Sequence, residues 1–312
     1  MLDGKSVVVT GAGRGVGRAH AKALARLGAS VVVNDLGASL DGSGSNGSYA
    51  EKVVAEIVAA GGTAVANHDD VSCWSGTEHI IETAIQTFGR LDGLVNNAGN
   101  FRRGQLTAVT EEDIDSIFAV HVKGTFGCTV HALKHWKQRY EATGERGGAI
   151  VSTISEAFLV SLPNYAPYSA AKAAIAQLTT TGSREAGLFG ARLNAYGPRA
   201  TTRMAVAAYT DALDADDDSD DPKNPRNSSP LVAWLLSDRS LHVSGQVFAS
   251  VGGGVAVCSP WAMGPIAWPP DGQPRFGVEE IGDVIDAQLF GSRYPSLEMA
   301  EPPGFSPNVR RE

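Results

Sequence analysis

Ser6-Val7-Val8-Val9-Thr10-Gly11-Ala12-Gly13-Arg14-Gly15-Val16-Gly17 sets a β-branched run directly against glycines at alternate positions. A continuous run of this kind predicts a strand buried on both faces of a parallel sheet. The Ala-rich stretch that follows, through Ala25, predicts a helix. A strand, a glycine-rich turn and a helix N-terminus together make an anion site. Glycines let the backbone approach a pyrophosphate, and the free N–H groups with the helix dipole receive its charge. Gly11, Gly15, Val16 and Gly17 are the candidate contacts, with Arg14 in the same turn.

The next apolar run, Ser30-Val31-Val32-Val33-Asn34, ends at Asp35, 18 residues after Gly17. A carboxylate there can accept hydrogen bonds from an adenosine ribose diol and would repel a 2′-phosphate. The expected cofactor is therefore NAD, with Leu36 beside the same ribose; Arg14 could meet such a phosphate, but Asp35 should face the ribose directly. A Gly/Ser loop over 37–48, a helix over about 49–60 and a short strand at 63–66 follow. Asp70 and Val71 lie just beyond that strand, where an adenine could be contacted. Ser75-Gly76-Thr77-Glu78 has the form of a capping box opening the next helix. Leu94-Val95-Asn96 makes a fourth strand and leads into Asn97-Ala98-Gly99. Alternating strands and helices predict a doubly wound parallel sheet, whose ligand crevice lies at the carboxyl ends of its strands.

Tyr168 and Lys172 are four residues apart, so on a helix their side chains share one face. A phenol titrates near ~10, and a nearby cation favours the phenolate, which suits acid–base work. Ser155 stands 13 residues before Tyr168, just past the apolar run Gly148-Ala149-Ile150-Val151. A hydroxyl at the end of that strand could hold a substrate oxygen against the phenol.

With their order and spacing, the turn at 10–17, Asn96-Asn97-Ala98-Gly99, Ser155 and Tyr168-x-x-x-Lys172 resemble the short-chain dehydrogenase/reductases across about 1–255. The resemblance implies a seven-stranded Rossmann sheet and hydride transfer between a substrate carbon and the nicotinamide of NAD. It implies a short-chain alcohol dehydrogenase or ketone reductase, with Tyr168 as general acid/base. Lys172 would lower the Tyr168 pKa and bind the nicotinamide ribose, and Ser155 would position the substrate oxygen. Many members carry Asn at the position of His121, where it holds a water in a proton relay; imidazole could serve there too. Pro198-Arg199 stands for the family's Pro-Gly, and Thr202 falls where a hydroxyl could meet the cofactor. Val31 to Gly37 and Val120-His121-Val122-Lys123-Gly124-Thr125-Phe126 are more narrowly similar to the dehydrogenase part of the peroxisomal multifunctional enzymes, which oxidise D-3-hydroxyacyl-CoA. Family members assemble as dimers and tetramers through the helices expected here at about 115–140 and up to 186. The alternatives are a D-3-hydroxyacyl-CoA dehydrogenase and a non-catalytic dinucleotide-binding regulatory protein.

Composition narrows the classes further. The chain has 312 residues, a net charge of -8 and no basic stripe, which argues against a nucleic-acid partner. Three cysteines without C-x-x-C spacing argue against a disulfide framework or a metal site and fit a reducing compartment. No apolar run is long enough to span a bilayer, so the expectation is a cytoplasmic protein. The sixth and seventh strands are expected at 191–195 and 246–250. Between them, residues 211–221 hold seven Asp. If that run borders the pocket it should disfavour anionic substrates, acyl-CoA among them. Residues 256–312, rich in Pro, Gly and aromatics, read as a C-terminal extension. It is expected to pack on the domain or a neighbouring subunit, with a short amphipathic helix over 278–289.

Overall fold

The structure, a computed structural model, describes residues 1–39, 41–44, 47–159, 162–198, 200, 224–251, 254–259, 266–270, 275–276, 278–279 and 281–290. The expectations placed on Arg199, on Thr202 and on the acidic run 211–221 lie outside these. The chain forms two compact units, residues 1–258 and 259–312.

In the first unit, strands β1 (Ser6–Thr10), β2 (Ser30–Asn34), β3 (Thr63–Asn67), β4 (Gly93–Asn96), β5 (Ala149–Thr153), β6 (Arg192–Gly197), β7 (Val247–Val251) and β8 (Gly254–Val257) join one sheet. Its order is β3-β2-β1-β4-β5-β6-β7-β8. Pairs β1 to β7 are parallel. The expectation of seven strands gives way to eight, because residues 254–257 turn back antiparallel along β7 instead of leaving the sheet. The parallel α/β architecture is as expected.

The valines of β1 show why this sequence makes a central strand. Side chains alternate across a strand, so Val7 and Val9 enter one core and Val8 the other. The first core takes Leu24 and Ala25 of α1 (Gly15–Arg26), Val53 and Ile57 of α2 (Ser48–Ala59), and Leu235. The second takes Ile80 and Ile81 of α3 (Trp74–Phe88) and Trp136 further along the chain. All three β1 valines are fully buried. Each buried valine contributes about 1.5–3 kcal/mol relative to exposure.

Order reverses between β1 and β4, so the crevice opens at the carboxyl ends of these strands. Two helix starts differ from each other in an instructive way. The box expected at 75–78 does not form: α3 opens at Trp74 with Cys73 at the N-cap position, two residues before Ser75, without a side-chain cap, and the Thr77 hydroxyl donates to the Trp74 carbonyl. Helix α4 (Glu111–Ile117) does carry a capping box, with Asp113 in place of Glu. The Asp113 N–H donates to Thr110 Oγ1 at 3.2 Å, and the Thr110 N–H donates to Asp113 Oδ2 at 3.1 Å. Helix α4 continues through a π-helical turn, Phe118–Lys123, into α5 (Gly124–Thr143). Helix α6 (Ala166–Ala186) carries Tyr168 and Lys172. On it Ala171, Ile175, Ala176 and Thr179 are buried, so ordinary core packing accounts for much of its apolar face.

In the second unit, a helix at Ile281–Ile285 and a π-helical turn at Asp286–Phe290 occupy the expected helical stretch. The Gln288 amide there accepts from the Trp268 N–H at 2.9 Å and donates to its carbonyl at 3.1 Å. Among the described residues no helix is long and apolar enough to cross a membrane.

Candidate active site

The glycine turn is shaped by main-chain crowding. Gly11 adopts φ +62°, and a Cβ there would lie 2.7 Å from the Ala98 Cα. A Cβ at Gly17 would strike the Gly11 carbonyl. Asn97 locks this turn from the end of β4. Its Nδ2 donates to the Thr10 and Gly11 carbonyls at 3.0 and 3.1 Å. The N–H groups of Asn97 and Ala98 donate to Thr10 Oγ1 at 3.0 and 3.1 Å. Helix α1 begins at Gly15 with no side-chain cap and no acidic residue in its first turn. Its end therefore keeps the positive dipole that an anionic group needs.

Asp35, at the end of β2, accepts from two main-chain donors. The Gly13 N–H reaches Oδ2 at 2.8 Å and the Gly37 N–H reaches Oδ1 at 2.7 Å. Both the carboxylate and the turn are thus fixed relative to each other, with Leu36 half-buried beside them. Arg14 turns towards the loop after β2: its guanidinium donates to the Ala38 carbonyl at 2.6 Å and lies 4.0 Å over the Tyr49 ring. The cradle that a Cβ would fill and the uncapped helix end suit the pyrophosphate of a dinucleotide.

Asp70 lies just beyond β3, at the carboxyl edge of the sheet. Its carboxylate accepts from the Ser72 N–H and hydroxyl, each at 2.8 Å, closing a local turn. Val71 is buried, with its carbonyl against Gly124. Pro198 is half-buried at the end of β6.

The second cluster gathers side chains from three elements. Ser155 follows β5, and its Oγ accepts from the Ala157 N–H at 3.2 Å. The Ser155 side chain also acts on the Tyr168 phenol, favouring its ionised form. Lys172, one turn along α6, is 3% exposed and donates to the Thr153 carbonyl at 2.8 Å. Its Nζ lies 5.6 Å from the centre of the Tyr168 ring.

The electrostatics depart from the sequence expectation. Burial pushes the Tyr168 phenol up to about 12, against a smaller lowering by Ser155. Burial likewise brings the Lys172 ammonium down to about 7. The expected lowering of the phenol by Lys172 gives way to desolvation, which disfavours the charged form of both groups. The lysine's proton is directed at Thr153 instead.

His121 sits in the π-helical turn, a helix irregularity that recurs at functional sites. It is fully buried, and its Nε2–H donates to the Asn100 carbonyl at 2.8 Å. Nδ1 has no hydrogen-bond partner. Burial first, then the Lys172 charge, holds this imidazole well below its ordinary pKa, so it is neutral at neutral pH. Its ring meets that of Tyr168 edge-on, with centres 5.4 Å apart. A Cβ at Gly99 would lie 2.5 Å from His121 Cε1, which explains the glycine there.

Three participants escaped the reading by motif. Thr153 supplies the carbonyl that holds Lys172, and Phe101 and Tyr165 pack against Tyr168. The signals were present: Thr153 ends a strand at the crevice, and Tyr165 precedes Tyr168 by three residues.

Comparison with known proteins agrees with this geometry. Residues 5–212 match the family described as short chain dehydrogenase. The hydroxyacyl-CoA dehydrogenase ChsB1 of Mycobacterium tuberculosis is 39% identical over 83% of this chain and 81% of its own length. The peroxisomal multifunctional enzyme type 2 of Mus musculus is 39% identical over 81% of this chain, which spans 32% of that longer protein. The crystal structure of a short chain dehydrogenase from Mycobacterium avium superposes with a TM-score of 0.80 at 42% identity, covering 94% of this chain and 97% of the other. The glycine turn, the Asn97 lock and Ser155 with Tyr168 thus stand in a chain that belongs to the short-chain dehydrogenase family of oxidoreductases.

Proposed function

We propose that the protein is an NAD(H)-dependent oxidoreductase acting on a secondary alcohol or its ketone. The observation that carries this reading is the buried Tyr168 phenol acted on by Ser155, with the buried Lys172 Nζ 5.6 Å from the Tyr168 ring centre. Bound nicotinamide supplies the hydride acceptor for oxidation and the donor for reduction. Gly11, Gly15, Val16 and Gly17 would hold the pyrophosphate, Asp35 and Leu36 the adenosine ribose, and Asn97, Ala98, Gly99, Lys172 and Pro198 the nicotinamide half.

Ser155 holds the substrate oxygen. Tyr168 gives that oxygen a proton in reduction and removes one in oxidation. A phenol held up at about 12 rests protonated, which favours the reductive direction at neutral pH. Oxidation needs the phenolate, so its rate rises with pH. His121 is held neutral by burial and by the charge of Lys172, and its Nδ1 is without a hydrogen-bond partner beside the Tyr168 ring.

A second, narrower reading is supported by relatives called hydroxyacyl-CoA dehydrogenase and multifunctional enzyme. A 3-hydroxyacyl-CoA is itself a secondary alcohol, so the same residues serve. The acidic run 211–221, which lies outside the described residues, counts against such an anion if it borders the pocket.

The test is Tyr168→Phe. Turnover is expected to fall by about 10²–10⁴-fold while NADH binding, read by fluorescence, persists. Full turnover in that variant would overturn the assignment. A wild-type protein that binds NADH but oxidises and reduces nothing across alcohols, ketones and 3-oxoacyl-CoA would favour a binding-only role.

A further inference from the structure

Tyr165 and Phe101 form an aromatic wall against the reacting phenol. The Phe101 ring meets Tyr165 at 5.2 Å and Tyr168 at 5.3 Å between centres, the latter edge-on. Tyr165 and Tyr168 are 6.4 Å apart, also edge-on. Ile117, Ala157 and Ala171 are buried with them, and Leu162 and Val122 pack alongside. Phe101 is mostly buried, whereas Tyr165 is half-buried. Ala157 lies two residues past Ser155, which sets this apolar surface next to the substrate oxygen's holder.

The backbone carries strain at this point. Asn164 has φ +71°, the one non-glycine residue in the left-handed region among those described. Such strain persists only where surrounding structure enforces it, and it clusters at functional sites. Here the Asn164 carbonyl accepts from the Gly104 N–H at 3.1 Å, tying the start of α6 to the loop after β4 that carries Phe101. The left-handed step thus fixes Tyr165 against Phe101 from two separate segments. Tyr165 also makes ionisation of Tyr168 harder, so the two phenols feel each other.

We propose that Tyr165, backed by Phe101 and aimed by the left-handed turn at Asn164, determines substrate specificity by holding a bulky, ring-bearing or branched apolar group attached to the reacting carbon. This rests on the oxidoreductase reading above and sharpens it to a substrate class. Aromatic faces prefer offset or edge-on contact with flat apolar partners, and Ile117, Ala157, Ala171, Val122 and Leu162 make the surroundings of the two rings apolar. A small alcohol would bury less apolar surface against this wall.

The test uses paired substrates with NADH and the full chain. Each pair differs only in the apolar group: butanone against acetophenone, and a straight-chain 3-oxoacyl-CoA against a phenyl-terminated one. The readout is the ratio of kcat/KM within a pair. Wild type is expected to favour the ring-bearing member, Tyr165→Ala to lower that ratio tenfold or more, and Tyr165→Phe to keep it within about threefold because the ring remains. Asn164→Gly, which releases the strain without removing a contact group, is expected to lower the ratio less than Tyr165→Ala. Equal losses on both members, or no preference in wild type, would overturn the proposal while leaving the oxidoreductase reading intact. Failure of Tyr168→Phe to lose turnover would instead remove that reading, and this proposal with it.

Discussion

The glycine turn and the tyrosine cluster lie at the same edge of the sheet but are held by opposite means. At the turn the contacts are main chain to main chain or main chain to a strand-end side chain. Gly13 donates to Asp35, and Asn97 spans the Thr10 and Gly11 carbonyls. At the cluster, side chains from β5, the π-helical turn and α6 meet in a desolvated space. The first region depends on the absence of side-chain volume. The second depends on the absence of water. A lesion in the turn should therefore disturb binding, and a lesion in the cluster should disturb titration and turnover.

The largest break in that comparison is expected from Gly17→Ala. The new Cβ meets the Gly11 carbonyl and the Asn97 amide, and a main-chain carbonyl locked by Asn97 has little room to yield. NADH affinity is expected to fall by about 100-fold or more, roughly 2.7 kcal/mol, as read by fluorescence titration. Tyr168→Phe should leave the same titration within about twofold. If both variants lose binding equally, the two regions are not separable in the way their contacts imply.

The same contrast governs what could be read without coordinates. Turn chemistry is local, so Gly11, Gly15 and Gly17 stood out by spacing alone, and Asp35 by its place after a strand. The strands were legible for a similar reason: consecutive valines need two cores. The edge strand Gly254–Val257 was not, because its exposed, Gly-led sequence carries no burial pattern. Nor was the balance of charge in the cluster. Adjacency of Tyr168 and Lys172 on a helix suggested a lowered phenol pKa, yet both groups are so far from water that burial outweighs their attraction. Spacing reports which groups meet; it does not report how dry the meeting place is.

Dryness makes the second prediction, which concerns stability against pH. Lys172 titrates near 10.5 in the unfolded chain and at about 7 in the folded one. Between these values the unfolded state binds more protons, so stability rises with pH across that window. Tyr168 acts in the other sense: its folded pKa, raised to about 12, retains a proton that the unfolded chain gives up near 10, so stability falls from pH 10 upwards. Lys172→Met removes the first effect. Chemical denaturation at pH 7 and pH 9.5 should show wild type gaining roughly 2–4 kcal/mol over this interval, less the contribution of other groups. The variant should gain distinctly less. An identical pH slope in both proteins would mean that Lys172 is charged and solvated in the folded state.

The smallest expected effect is the finest test of the turn. Asp35→Asn changes almost no volume and keeps one oxygen for the Gly13 N–H, while the Gly37 N–H loses its acceptor. What it removes is negative charge beside the position proposed for the adenosine ribose. NADH affinity is expected to drop by about tenfold, near 1.4 kcal/mol, through loss of a charge-assisted acceptor. NADPH affinity should rise, since the carboxylate no longer repels a 2′-phosphate. Arg14 is already committed to the Ala38 carbonyl and the Tyr49 ring, so the gain should be modest unless that guanidinium swings free. Asp35→Asn combined with Tyr49→Ala would loosen the arginine and should raise NADPH affinity further. Were the single variant to bind both dinucleotides as wild type does, Asp35 would be a brace for Gly13 and not a reader of the ribose.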